Sequence, residues 1–136
     1  MAQKEKIVLT SGKRKSAIAR AVIKKGTGKV RVNKIPILNF NTEFNRLRVM
    51  EPLMLSGELA SQVDIDVLVR GGGINGQADA ARVAIGKALI EFSKDKKLEQ
   101  QFLDYDRQLV VADVRRKETR KPNDSKARAA RQKSYR

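Results

Sequence analysis

The chain has no cysteine, no histidine and no tryptophan, and aromatic residues fill only 4% of its 136 positions. Without cysteine there is neither a disulfide nor a thiolate metal site. Without histidine the commonest metal ligand and the commonest general base at neutral pH are both missing, so no metal and no cofactor is expected. The scarcity of aromatics argues against a platform on which successive bases stack. Long apolar runs are absent too. Nothing approaches the roughly 20 residues of a membrane span, and the opening MAQKEKIVLTSGKRKS holds no apolar segment of signal-peptide length. A soluble, intracellular chain is the expectation. Carboxylates are also in short supply, with 15 Asp and Glu against 30 Lys and Arg and a net charge of +15.

Charge of that size strains a compact state by self-repulsion, and a polyanion is the partner that relieves it. Nucleic acid leads, with an anionic membrane surface behind it. Half the excess sits in one place. The segment DVRRKETRKPNDSKARAARQKSYR, residues 113–136, carries Arg115, Arg116, Lys117, Arg120, Lys121, Lys126, Arg128, Arg131, Lys133 and Arg136, opposed beyond Asp113 only by Glu118 and Asp124. Its composition buries too little apolar surface to offset ordering entropy, so it should stay extended until a polyanion orders it. A membrane-surface helix would need an apolar face, and Ala127, Ala129 and Ala130 are too small to supply one. Arginine's planar fork instead suits bidentate phosphate contact. The chain therefore divides into a globular RNA-binding domain, residues 1–112, large enough for one modest core, and an extended basic tail, residues 113–136.

Within the domain, the apolar burst Ile7-Val8-Leu9 precedes a polar, turn-like TSGKRKS. Residues 17–24 read as a strand, KGTGK as a turn, and Val30-Arg31-Val32 as a second strand; a hairpin across Gly26 and Gly28 is the simplest connection. The cluster Lys13, Arg14, Lys15 before the first long strand is either a solvated loop or a contact to the polyanion. Residues 41–51 read as a helix capped by Asn41 or Thr42, with Phe44, Leu47 and Met50 on its core face and Pro52 ending or bending it. VDIDVLVR, residues 63–70, suits a strand buried on most of its surface. Ala78, Ala81, Ile85, Ala88 and Phe92, widened by Ala84 and Leu89, mark the central helix. A weaker helix follows around Leu98, Phe102 and Leu103, and residues 108–113 read as a last short strand.

Between the strand and the central helix lies Gly71-Gly72-Gly73-Ile74-Asn75-Gly76. Backbone N–H groups at a helix N-terminus bind anions, so this turn either grips an RNA phosphate or only reverses the chain. It matches neither nucleotide fingerprint, G-x-x-x-x-G-K-[ST] nor G-x-G-x-x-G.

Three separated stretches then resemble one family. GGGINGQADAARVAIGKAL (71–89) is similar to the signature of ribosomal protein S-nine of the small subunit, and TSGKRKSAIARA (10–21) looks like its first strand region. YDRQLVVADVRRKETRK (105–121) with the ending RQKSYR (131–136) resembles the archaeal and eukaryotic branch. The resemblance implies an α+β, two-layer α/β fold like the second domain of ribosomal protein S-five, with a left-handed split β-α-β unit and an extended C-terminal tail. It implies a structural constituent of the small subunit, not an enzyme, bound to rRNA of the 3′ major (head) domain beside neighbouring head proteins, as a monomer within the cytoplasmic ribosome. On that reading Lys13, Arg14, Lys15, Gly71, Gly72, Gly73, Arg115, Arg116, Lys117, Arg120, Lys121, Lys126, Arg128 and Arg131 contact rRNA. Lys133, Tyr135 and Arg136 reach the anticodon stem-loop of peptidyl-site tRNA. The alternatives are a general nucleic-acid-binding or RNA-chaperone protein and, behind it, a phosphate-transfer enzyme using the Gly71 to Gly73 loop.

Overall fold

A computed structural model describes residues 4–135. Five strands form one sheet in the order β1-β2-β5-β3-β4, where β1 is Ile7–Arg14, β2 Ala17–Lys25, β3 Val30–Val32, β4 Ile35–Pro36 and β5 Val63–Arg70. All neighbours pair antiparallel except β3 and β5, which run parallel and are joined through β4 and helix α1, Glu43–Leu55. Helix α2, Ile74–Ser93, lies across β1, β2 and β5, and α1 packs against α2; α3 is Lys96–Tyr105. The result is the expected mixed α+β, two-layer arrangement, with helices covering one sheet face.

The core forms between that face and α2. Ala17, Ala19, Ala21 and Ile23 of β2 and Val63, Ile65, Val67 and Val69 of β5 point inward at every second residue, as strand geometry requires. Ala78, Ala81, Ala84, Ile85, Ala88 and Leu89 meet them from α2. The small side chains let the helix lie close. At Gly12 of β1 the approach is closest: a Cβ there would collide with the Ala80 carbonyl oxygen and stand 2.7 Å from the Ala84 nitrogen.

Several sequence expectations change here, each for a physical reason. The polar stretch after Leu9 is not a turn. β1 continues through it to Arg14 because Gly12 slots under α2 while Ser11 and Lys13 alternate outward; the reversal falls at Lys15, which takes a positive φ of 53°. The expected hairpin between β2 and β3 does not form either, since β5 inserts between them. Asp64 Oδ1 accepts the N–H groups of Thr27, Gly28 and Lys29 at 2.9, 3.1 and 3.0 Å, and Ile65 N donates to Lys29 O at 2.9 Å. That grip carries the chain past β5 instead of folding it back. Lys29 and Thr27 N–H groups, against an opposing effect of burial, hold the Asp64 carboxyl below its usual range. Strand β5 itself is buried on one face only, with Leu68 54% exposed on the other.

In α1, Thr42 is the cap, its Oγ1 accepting from Asn45 N at 3.4 Å. Pro52 does not end it: the helix runs on to Leu55, and Ser56 N donates to Pro52 O at 3.1 Å. The stripe of Phe44, Leu47 and Met50 is not the core face. Asn45, Val49 and Pro52 are buried against the body instead, and Phe44 and Leu47 stand 63% and 50% exposed, with Arg48 over the Phe44 ring at 5.8 Å. Phe44→Ser is accordingly expected to shift stability by no more than about 0.5 kcal/mol. Val49→Ala, which empties a fully buried site, should cost about 2 kcal/mol by denaturant melt. Equal losses at the two positions would contradict the buried face assigned to α1.

The central helix starts four residues earlier than the periodicity suggested, at Ile74. Residues 108–113 form no strand: Arg107–Leu109 is a single 3-10 turn whose Gln108 N–H bonds Asp106 Oδ1 at 2.9 Å. Leu109 is fully buried beneath Gly86 of α2. From Ala112 through Tyr135 there is neither helix nor strand.

Candidate nucleic-acid interface

Three separate stretches of cations and glycines meet at one end of the molecule. The β1–β2 turn brings Arg14, Lys15 and Ser16 beside Gly72, Gly73, Ile74, Asn75 and Gly76, around an open depression of about 430 Å³. On its other side the same turn faces the root of the tail, and Arg14, Lys15, Arg115, Arg116 and Lys117 surround a second depression of about 440 Å³. Gly71 and Gly72 adopt φ of 78° and 68°, a left-handed backbone that other residues take only with strain. Gln77 Nε2 fastens the loop by donating to Gly71 O at 3.1 Å. The loop leads into α2 at Gly73, where no side chain caps the first turn. The free N–H groups of a 20-residue helix therefore open onto the cleft beside Lys15.

The root of the tail is fastened by a carboxylate that sequence reading treated only as a boundary. Asp113 Oδ2 accepts from Arg14 Nη1 at 2.7 Å and from Arg115 Nη2 at 2.7 Å, while Oδ1 accepts the Arg115 backbone N–H at 3.0 Å. Arg115's side chain and N–H, assisted by the nearby charge of Arg14, hold the Asp113 carboxyl far below the ordinary carboxylate range. Arg14 also lies 3.7 Å from Asp79 Oδ2, and Arg48 Nε lies 2.8 Å from Asp79 Oδ1. The only signal for Asp113 in the sequence is that it is the one carboxylate immediately ahead of Arg115 and Arg116.

The cations are thus of two kinds. Arg14 and Arg115 both pair with Asp113, Arg14 largely buried and Arg115 with its side chain 74% exposed. Arg128 forms a forked pair with Glu118, its Nη2 2.6 Å from Oε1, and Arg131 Nε donates to Asn123 O at 3.0 Å. Both tail contacts are exposed, where such pairs contribute little and a phosphate can replace them. Lys13, Lys15, Arg116, Lys117, Arg120, Lys121, Lys126 and Lys133 have no ion-pair partner among the described residues. Tyr135 is 90% exposed, and Arg136 lies outside the described residues.

Unpaired ammonium and guanidinium groups, an open helix N-terminus and backbone accessible through glycine are the chemical groups that favour a phosphate. Residues 12–136 match the protein family described as Ribosomal protein S9/S16. The chain belongs to that family. It is 50% identical over 133 residues to "Small ribosomal subunit protein uS9" of Methanococcus maripaludis strain C5, covering 96% of this chain and 99% of the relative. The proteins of the same name from strains C7 and S2 match with the same identity and coverage. For this member of the S9/S16 family, the three stretches singled out in the sequence lie within the matched region, apart from its first two residues, Thr10 and Ser11. The turn bearing Lys15, the glycine loop and the head of the tail adjoin one another in the fold.

Proposed function

We propose that this chain is a structural constituent of the small ribosomal subunit whose body and tail grip head-domain rRNA and whose last residues reach the peptidyl-site tRNA. Lys13 and Lys15 approach rRNA phosphates beside the Gly71, Gly72 and Gly73 loop, where the α2 N-terminus offers free N–H groups. Arg14 acts from behind, holding Asp113 and so fixing where the tail departs. Arg115, Arg116, Lys117, Arg120, Lys121, Lys126, Arg128 and Arg131 follow the rRNA, and Lys133, Tyr135 and Arg136 meet the anticodon stem-loop. The observation that carries this reading is the convergence of hairpin turn, glycine loop and tail root at one end, from which an exposed polycation extends.

Two measurements test it. If about eight tail cations meet phosphates, log K for head-domain rRNA falls against log salt with a slope of roughly −5 to −6, on the single-strand coefficient. A slope near −1 is incompatible with an extended grip. Deleting residues 131–136 should leave incorporation into subunits intact and weaken peptidyl-site tRNA binding. Unchanged tRNA affinity in subunits carrying the truncated chain would remove the tail tip from the decoding site.

A further inference from the structure

The sheet face opposite the helices is uncovered, and its side chains do not match what a phosphate surface needs. Register places Ile18 beside Arg70, Arg20 beside Leu68 and Leu9 beside Val22 across β1, β2 and β5. Leu9, Leu68 and Ile18 are 72%, 54% and 42% exposed. Ser16, Ile18, Arg20, Leu68, Arg70 and Gly71 line a shallow depression of about 390 Å³. Contiguous exposed aliphatic side chains on a small soluble protein mark an interaction surface.

The charges on this face are one-sided. Its two carboxylates already have partners within the chain: Asp64 accepts the N–H groups of residues 27–29, and Asp66 pairs with Arg31 at 3.0 Å in an exposed contact. Arg20, Lys24 and Arg70 have no ion-pair partner among the described residues. We infer that this face docks a neighbouring protein of the subunit that presents aliphatic side chains flanked by carboxylates. Protein interfaces have centres more apolar than the rest of the surface and are enriched in arginine. RNA fits poorly, because no aromatic residue stands on these strands to stack a base and desolvating Leu9 and Leu68 against hydrated phosphates gains nothing. A second copy of this chain fits no better, since the same face on both sides would set one cation-rich surface against another. The inference rests on the proposed place of the chain in the small subunit, and not on the tail or its tRNA contact.

The test places a photo-reactive benzoyl-phenylalanine at Leu68, and separately at Leu9, in full-length chain assembled into small subunits. The expected product is a crosslink to one protein neighbour, at a peptide containing Asp or Glu beside aliphatic residues. The double substitution Arg20→Glu with Arg70→Glu should lower that yield at least about tenfold, and changing the neighbour's carboxylates to lysine should restore it. Loss of the double variant from subunits, with unchanged thermal melt and unchanged rRNA affinity, supports the same conclusion. Crosslinks to rRNA, crosslinks to a second copy, or no crosslink from either position overturn it. Failure of the unsubstituted chain to enter subunits would instead overturn its role as a subunit constituent, so the two failures are distinguishable.

Discussion

Gly12→Ala is expected to destabilise the folded body by about 3 kcal/mol, a large fraction of a domain's total stability. The added methyl would meet the Ala80 carbonyl oxygen and the Ala84 nitrogen, the latter at 2.7 Å, and Val83 Cβ at 3.1 Å. The first two are main-chain atoms of a buried helix, so they cannot turn aside as a flexible side chain would. Relief requires α2 to lift off β1, and that would open space beside Ala17, Ala19 and Ala21, all fully buried. For a domain of about a hundred residues the loss lowers Tm by roughly 10 °C or more. Gly73→Ala is the control: its φ is −97° and its Cβ would find nothing within 4 Å, so only the modest cap preference of about 1 kcal/mol or less is at stake. Similar melts for the two variants would show that α2 does not press on β1 as described.

Arg82→Met is expected to cost about 2–3 kcal/mol, somewhat below the usual price of breaking a buried ion pair. Arg82 is the one buried charge on α2, its side chain 5% exposed. Its Nε donates to Glu51 Oε2 of α1 at 2.7 Å and its Nη2 to Asp106 Oδ2 at 2.9 Å, so one guanidinium ties α2 to α1 and to the end of α3. Methionine replaces the stem but leaves both carboxylates without the guanidinium that hydrogen-bonds them. They remain 29% and 36% exposed, and water recovers part of the loss. Lysine would not rescue fully, because a point charge cannot reach two carboxylates with the fork's geometry. The pH dependence separates this from simple repacking. Asp106 is held below its usual range, burial opposing, by the Gln108 N–H and by Arg82. A carboxyl whose folded value is depressed contributes stability above its unfolded value, about pH 4, and loses it as pH falls through the folded value. The gap between wild type and Arg82→Met should therefore narrow below pH 4. A gap that stays constant from pH 7 to pH 3 would mean the arginine acts through packing alone.

What local chemistry can encode was readable in the chain itself. The apolar stripe of α2, the alternation of β5 and the composition of the tail are properties of neighbouring residues, and so were the motifs of the S9/S16 family. The sheet order was not, because β5 inserts between β2 and β3 through pairings and Asp64 contacts to residues some 36 positions earlier, which no window of sequence contains. The same limit explains α1. Phe44, Leu47 and Met50 share a spacing equally good for burial, but Val49 and Pro52 face the body once α1 has packed against α2. Which cations are free is likewise a tertiary matter. Arg14 and Lys15 are adjacent and alike in sequence, yet folding brings Asp113 and Asp79 to Arg14 and leaves Lys15 facing the open cleft. The chain alone thus established a basic body, a polycationic tail and a family; the fold decided which side chains are consumed in holding them together, because charge pairing depends on distances that only long-range packing sets.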